Sequence, residues 1–170
     1  MNFKILSIVG ILILFTLLSR FRALARQSRE AAPERISLYE NGADRKLPDC
    51  PGKPNCVSSQ ARVDDAVHFI APLQYPGASS RSEAHAQLLK HLSTHAGMTV
   101  MDEGKPGEDH IRTEFRSLIF GFIDDLEFHL PAAERVIHVR SASRVGHSDL
   151  GANRKRVEAI RAALAVLNSP

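Results

Sequence analysis

The sequence contains no tryptophan, and aromatic residues make up 6% of it. Proteins that bind single-stranded nucleic acids stack bases on aromatic side chains, so this composition argues against that class of partner. The formal charge of +3 comes from the beginning of the chain: residues 1–47 have 8 basic and 4 acidic residues, whereas residues 48–170 have 14 and 15. Because the larger part is close to neutral, we expect no nucleic-acid partner.

The sequence also lacks the short motifs that mark common enzyme and cofactor sites. It has no nucleophile elbow, no glycine-rich phosphate loop and no metalloprotease motif. Zinc sites need about four ligands, and no C-x-x-C pair is present. His91 and His95 have the spacing of a ligand pair on a helix, but a third ligand is not identifiable, so we interpret them as part of a solvated face. We predict no metal and no cofactor.

One long apolar run extends from Ile5 to Ser19, between Lys4 and several arginines. With the two residues before it, the run covers residues 3–19 and reaches the short end of a membrane-spanning helix, about 17–25 residues. We predict that residues 1–20 form an uncleaved, single-pass membrane anchor. A signal peptide cleaved after Ala23-Leu24-Ala25 is the alternative, and the arginines between the run and this site disfavour it.

Two signals disagree about which side of the membrane the rest of the chain faces. The arginines after the apolar run favour a cytoplasmic domain by the positive-inside rule. Cys50 and Cys56, in the loop CPGKPNC, suit a small disulfide ring in an oxidising compartment, with two reduced thiols as the alternative. We predict a protein of the cytoplasmic (inner) membrane whose domain is periplasmic rather than cytoplasmic.

After the anchor, the chain divides into a tether and one domain. Residues 21–47 have no sustained apolar stripe, so we predict a tether that is partly helical near the membrane. Residues 48–170 are predicted to form a single domain, in which Ser80 and Glu83 have the spacing of a capping box. Its first half is predicted to contain a strand at 67–70, a turn at 75–77, a helix at 80–95, a strand at 98–102 and a loop at 103–109.

Three later segments alternate between apolar and polar residues, which is typical of strands with one covered face and one wet face. The inward residues are Ile111, Thr113 and Phe115, then Leu126, Phe128 and Leu130, then Ile137 and Val139. A last helix, about Asn153 to Leu167, buries Val157, Ile160, Leu164 and Leu167. These patterns predict an α+β fold, an antiparallel meander with helices packed on one face, preceded by the transmembrane helix.

The apolar run from Ser117 to Ile123 is harder to interpret. We read it as a long strand that bends at Gly121 with both sides covered. The alternative is a hairpin lip that lines a pocket or touches the bilayer.

The stretch from Ile137 to Arg156 contains the leading candidate site. It passes from a strand into a helix that begins with three basic residues, where the helix dipole disfavours cations by about 0.3–1 kcal/mol each. One interpretation is a site for a phosphate or carboxylate formed by Arg140, Arg144, Asp149 and Arg154. The other, which we place first, is a structural network in which Asp124, Asp125 and Asp149 neutralise these bases and cap the helix.

The polar face of the meander offers a weaker, catalytic candidate. It collects Glu114, Glu127, His129, His138 and Arg140. A carboxylate beside a histidine can tune its pKa toward neutrality, so His138 and Glu127 are the candidates for general acid–base chemistry. Cross-strand charge pairs, each worth about 0.2–1 kcal/mol, explain the same residues without catalysis.

Three blocks resemble a bacterial and plant family known as DUF1499, a domain of unknown function. They are Pro54–Gln60, Phe120–Phe128 and Ile137–Val157. The resemblance covers about residues 48–167, and it implies a small membrane-associated or exported protein with no established activity. His147 departs from the family pattern, in which a tyrosine is expected before Ser148-Asp149-Leu150-Gly151.

Together these observations favour a membrane-anchored envelope protein with a binding or structural role, and we lean away from an enzyme. The predicted partners are the membrane, through residues 3–19, and a small acidic ligand, a lipid headgroup or a protein near the arginines. The alternative is a hydrolase- or isomerase-like enzyme that uses His138 and Glu127.

Overall fold

The computed structural model describes residues 2–31, 46–75, 79–103 and 109–167, without the side chains of residues 2–9, 166 and 167. Most of the predicted tether, most of the turn at 75–77 and most of the loop at 103–109 lie outside the described residues. The described elements, in order, are α1 (Asn2–Glu30), β1 (Cys56–Ser58), β2 (Leu73–Gln74), α2 (Arg81–Thr94), β3 (Met98–Asp102), β4 (His110–Arg116), β5 (Ile123–His129), β6 (Val136–Ser143) and α3 (Ala152–Leu167).

The strands form one antiparallel sheet in the order β1-β6-β5-β4-β3, and β2 also pairs with β6. The segments β4, β5 and β6 follow each other along the chain and lie side by side, which confirms the predicted meander. Short connections make this arrangement favourable, because neighbouring segments reach antiparallel pairing without a crossover. The α+β fold class is therefore confirmed.

The hydrophobic core lies between one face of the sheet and the two helices α2 and α3. Of the inward residues of the three alternating segments, Phe115 is partly buried and the others are buried, together with Leu88 and Leu92 of α2 and Val157, Ile160 and Leu164 of α3. The side chain of Leu167, which the sequence also predicts to be buried, lies outside the described part. The helical residues recur every three or four positions and so form the single stripe that a sheet face can cover. Side-chain alternation thus identified the core correctly.

The start of α2 also follows the sequence prediction. The Ser80 side chain accepts a hydrogen bond from the backbone N–H of Glu83, and the Glu83 carboxylate accepts one from the N–H of Ser80 at 2.6 Å. These two contacts satisfy amides that the first helical turn leaves without partners. The predicted capping box is confirmed.

The predicted strand at residues 67–70 is wrong. The carboxylate of Asp65 accepts hydrogen bonds from the backbone N–H groups of Val67 and His68, both at 3.2 Å, and contacts the His68 ring at 2.7 Å. An aspartate that bonds its own following backbone closes a turn, and this local geometry overrides the strand propensity of the segment. Extended pairing with β6 begins further along, at Leu73.

The sheet face opposite α2 and α3 is covered, so the prediction of a wet face is wrong. Glu127 and Arg140 are each 1% exposed, and His129 is 5% exposed. The end of α1 lies on this face at Ile123, and the loop of residues 51–55 faces β6 across a cavity. Charged residues persist there because they pair with one another, which lowers the cost of removing them from water.

Helix α1 is continuous, and its end is bound to the domain. Ala25 is 1% exposed, and the Ser28 hydroxyl accepts from the N–H of Ile123 at 2.8 Å and contacts its carbonyl oxygen at 3.2 Å. Further toward the N-terminus, large apolar side chains stay exposed, up to 70% for Phe15. In the part of the chain that the structure describes, no helix meets the length and apolarity that crossing a bilayer requires, so the predicted transmembrane helix gains no support.

The interpretation of residues 117–123 as one long covered strand is wrong. Strand β4 ends at Arg116, and the backbone turns back through Gly121, whose φ is +70°. Leu118 and Ile119 are each 85% exposed. Residues 118–120 thus form an exposed apolar lip between β4 and β5, the arrangement that the sequence suggested as the alternative.

We expect Ser28→Ala to destabilise the protein by about 1–3 kcal/mol, because it removes the hydroxyl that accepts from the buried N–H of Ile123. Urea unfolding of the full chain in a mild detergent measures the change. Ser93→Ala is the control, since Ser93 is also helical but exposed, and its hydroxyl contacts only the Lys90 carbonyl among the described residues. Equal stability of the two variants would contradict a structural joint at Ser28.

Candidate functional site

Asn153, in the first turn of α3, is the centre of the stretch that the sequence singled out. It is 0% exposed. Its amide nitrogen donates to the carbonyl oxygen of Asn55, the hydroxyl of Ser143 and the carboxylate of Asp149, at 2.7–3.0 Å. Its amide oxygen accepts from Ser141 and from Arg156 at 2.5 and 2.7 Å. Asn153 therefore links α3 to β6 and to the disulfide loop.

Asp149 caps the start of α3. Its carboxylate accepts hydrogen bonds from the N–H groups of Gly151 and Asn153 at 2.9 and 2.7 Å. The hydroxyl of Ser148 accepts from the N–H of Leu150 at 3.2 Å. These helix-start amides, which the sequence suggested for a ligand, thus bind side chains of the chain itself.

Arg154 and Arg156, in the first turn of α3, are held by structural partners on different sides. Arg156 donates to Asp124 at 2.6 Å and lies 4.0 Å from the centroid of the Phe115 ring. Arg154 donates to three backbone carbonyls of the loop before β2, those of Ala66, Val67 and Phe69. Arg154 therefore braces a loop, and the structure does not bring it together with Arg140 and Arg144.

Arg144, just after β6, holds two carboxylates on the buried polar face. It bonds both oxygens of Asp125 at 2.7 and 2.8 Å, and it also bonds Glu114. A fourth contact reaches the carbonyl oxygen of Ala31, at the end of α1, at 3.4 Å. The hydrogen bond with Asp125 is the main cause that raises the pKa of Arg144. Four of the five guanidinium N–H groups are thus used by described residues.

Arg140 lies on the same face of β6, two pleats before Arg144. Its side chain is 1% exposed and contacts the equally buried carboxylate of Glu127 on β5 at 3.4 Å. The two residues are direct partners in the β5–β6 register. Glu127, one of the two catalytic candidates, is therefore ion-paired with Arg140.

A cavity of about 350 Å³ opens beside these two arginines. One wall is formed by β5 and β6 and the other by the disulfide loop, and the lining residues are Pro51, Lys53, Asn55, Asp125, Arg140, Ala142, Ser143, Arg144 and Gly146. Sequence reasoning missed Lys53 and Asn55 as site residues. The available signals were the position of both residues between the two cysteines and, for Asn55 alone, its place in the block Pro54–Gln60.

The side chain of Asn55 has a fixed orientation, and its amide oxygen has no hydrogen-bond partner among the described residues. Its amide nitrogen donates to the carbonyl oxygens of Ser143 and Gly146 at 3.3 and 3.0 Å, which assigns the two ends of the amide. The amide oxygen is buried and has no hydrogen-bond partner among the described residues. A buried acceptor in this state costs about 1–3 kcal/mol, so it is typical of a position that another molecule completes.

Lys53 supplies positive charge at the rim of the cavity. The side chain is exposed and forms no ion pair with any residue that the structure describes. Its backbone is held by the loop, because Lys53 N–H donates to the Pro51 carbonyl and its own carbonyl accepts from Asn55. The loop itself is closed by a disulfide between Cys50 and Cys56.

His138, the other catalytic candidate, is bound by residues other than Glu127. Its Nδ1 lies 3.1 Å from the Ser59 hydroxyl, which also accepts from the N–H of Val139 at 2.9 Å. Its Nε2 lies 3.8 Å from a Glu134 oxygen. Burial is the main cause that lowers the pKa of His138 below its ordinary value of 6.5. The Ser59 hydroxyl, directly after β1, is thus hydrogen-bonded to both His138 and Val139 of β6.

His91 of α2 and His95, the residue that follows this helix, contact each other edge to face, with ring centroids 6.0 Å apart. His95 also contacts the Phe115 ring. Burial is the main cause that lowers the pKa of His91. Within the described ranges, no group of three or more His, Cys, Asp or Glu residues is arranged to hold a metal ion.

We expect Asn153→Ala to destabilise the protein by about 2–4 kcal/mol, because it leaves several buried donors and acceptors without partners. Chemical unfolding of the full chain provides the measurement. Lys155→Ala, an exposed change in the same helical turn, should stay within about 0.5 kcal/mol of the parent protein. A loss for Asn153→Ala no larger than this control would show that the network is not essential.

The stability of the protein should fall in acid partly through His138. Its folded pKa is below the unfolded value of 6.5, so its favourable contribution is complete above 6.5 and is lost as the pH falls through the folded pKa. Compared with the parent, His138→Gln should therefore lose less unfolding free energy between about pH 7 and about pH 5. Urea unfolding at several pH values measures the difference.

His68 provides a control of opposite sign. Its hydrogen bond with Asp65 raises its pKa above 6.5, so its contribution is complete below 6.5 and is lost as the pH rises through the folded pKa. His68→Gln should therefore steepen the acid loss. If both variants changed the slope in the same direction, the assignment of the two histidines would be refuted.

Residues 46–164 match the family described as "Protein of unknown function (DUF1499)". Searches of curated proteins and of solved structures each found no match. The matched residues contain all six described strands, the disulfide loop and the cavity, and they begin after α1. The match covers more than half of the chain, and the chain therefore belongs to the DUF1499 family.

Proposed function

We propose that this protein is a membrane-held, non-enzymatic binding domain of the cell envelope, whose cavity receives a small anionic group. The observation that carries the proposal is the cavity between the disulfide loop and β6. It is lined by Lys53 at the rim, by Arg144 and by Asn55, whose buried amide oxygen has no hydrogen-bond partner among the described residues. Arg140, which also lines the cavity, forms a buried ion pair with Glu127.

The chemistry of these groups favours a phosphate group that carries a hydroxyl or an amine. Lysine and arginine attract the anionic oxygens, and the remaining guanidinium N–H of Arg144 can donate to one of them. The Asn55 oxygen requires a donor instead, which a bare carboxylate does not supply. A protonated phosphate and a phospholipid headgroup with a hydroxyl or amine share both features.

The proposed membrane attachment rests on α1. Its apolar residues between positions 10 and 24 are not covered by the domain, and Ile11, Leu14 and Phe15 are each more than half exposed. Apolar side chains in such a continuous series favour a hydrocarbon environment. Together with residues 3–9 of the same helix, this series supports attachment of the protein through residues 3–19.

The end of α1 also brings the cavity close to the proposed membrane surface. Ala31, one residue beyond the helix, contacts Arg144 in the cavity wall. A lipid headgroup is therefore as accessible a source of the phosphate as a free metabolite.

The disulfide supports a periplasmic position for the domain at the cytoplasmic (inner) membrane. Bonds such as Cys50–Cys56 persist in oxidising compartments and are rare in the cytosol. The arginines that follow the apolar run favour the opposite orientation. We give more weight to the disulfide, because it closes the loop that forms one wall of the cavity.

We expect inorganic phosphate to shift the backbone amide signals of Asn55 and Gly146 when it is titrated into the ¹⁵N-labelled full chain in a phosphate-free maltoside detergent. Sodium chloride of matched ionic strength controls for general screening. Lys53→Glu should weaken binding by about tenfold, whereas Lys90→Glu, an exposed change on α2, should not. Equal titrations of the two variants, or no signal at the cavity, would refute the proposal.

A second arm identifies the source of the phosphate. The same signals are compared in nanodiscs that contain phosphatidylglycerol and in nanodiscs that contain only phosphate-free glycolipid. Shifts with phosphatidylglycerol alone assign the cavity to a headgroup. Shifts that appear only after free phosphate is added assign it to a soluble ligand.

A further inference from the structure

The lip, residues 118–120, is exposed although its backbone is held tightly. The Ser117 carbonyl accepts from the N–H of Gly121, and the Ser117 hydroxyl accepts from the N–H of Phe122, both at 2.9 Å. The N–H of Ser117 donates back to the Phe122 carbonyl at 2.9 Å. The loop therefore has a defined shape, and this shape directs Leu118 and Ile119 away from the domain.

The lip continues the apolar surface of α1. The Phe120 ring stacks on the Phe21 ring of α1, with centroids 5.0 Å apart and planes 22° apart. Phe21 is still 42% exposed and Leu24 is 40% exposed. Two segments that are about 100 residues apart in the sequence thus form one uncovered apolar surface, on one side of the domain.

Basic groups border this surface where the lip meets the domain. Arg29 of α1 contacts the Gly121 carbonyl at 3.4 Å, and both Arg29 and Arg116 lie next to the Cα of Gly121. The packing of these two guanidinium groups is close, because a methyl group at Gly121 would be 3.2 Å from Arg29 and 3.3 Å from Arg116. In a bilayer, the apolar residues of the lip would lie in the hydrocarbon region, and the two arginines would lie at the level of the lipid phosphates.

We propose that the lip inserts into the bilayer beside α1, as a second membrane contact that sets the orientation of the domain. The proposal rests on the membrane attachment proposed above. A bilayer fits this surface better than a protein partner does, since the surface is continuous with the apolar series of α1 and Arg29 and Arg116 border it where the lip meets the domain. With two contacts instead of one, the domain cannot rotate freely about the helix axis.

The absence of tryptophan allows a direct test with single-tryptophan variants of the full chain. Ile119→Trp reports on the lip, Phe15→Trp on α1, and Val63→Trp, at a residue 78% exposed on the loop after β1, serves as the control. The proteins are reconstituted into vesicles of phosphatidylcholine with brominated acyl chains, which quench tryptophan on contact. We expect loss of emission for the first two variants and none for the control.

The outcomes separate the two proposals. Quenching of Phe15→Trp without quenching of Ile119→Trp would overturn the lip contact and leave the membrane attachment intact. Quenching of neither would overturn both. If Ile119→Trp were blue-shifted without quenching, in a manner that depends on protein concentration, the lip would pack against a second copy and the bilayer contact would be rejected.

Discussion

The structure depends on two neighbouring carboxylates that point to opposite faces of β5. Asp124 faces the helices and holds Arg156, while Asp125 faces the other side and holds Arg144. In each pair, the two opposite charges are buried next to each other. Strand β5 is therefore buried on both faces without leaving either aspartate as an isolated charge. The first pair fixes α3 against the sheet, and the second closes the wall of the cavity.

Much of the fold was predictable, because its signals are local. Alternation placed Ile111, Leu126 and Val139 in the core, and the Ser80–Glu83 spacing placed the start of α2. Local sequence patterns gave the wrong element where the hydrogen bonds of a single side chain set the backbone conformation. Asp65 closes a turn within the predicted strand at 67–70, and alternation alone does not show such a contact.

The candidate site was less predictable, because its contacts are remote in sequence. Asp124 and Asp125 were expected to neutralise the basic residues, and they pair with Arg156 and Arg144, which lie 32 and 19 positions away. Asn55, which was not expected in the site, reaches the cavity through pairing between β1 and β6. Alternation distinguishes polar from apolar faces, but it does not show what covers the polar one. That is why the meander was expected to face water and Arg140 was expected at its surface.

The joint between α1 and the sheet has a mechanical consequence. Ser28 binds both backbone groups of Ile123, and Arg144 reaches the carbonyl beyond the helix end, so α1 meets the domain through a clamp at the beginning of β5 and the end of β6. A helix fixed in this way is attached to the domain rigidly and not through a flexible linker. Any change in its tilt moves the beginning of β5 directly, and with it the mouth of the cavity beside Arg144.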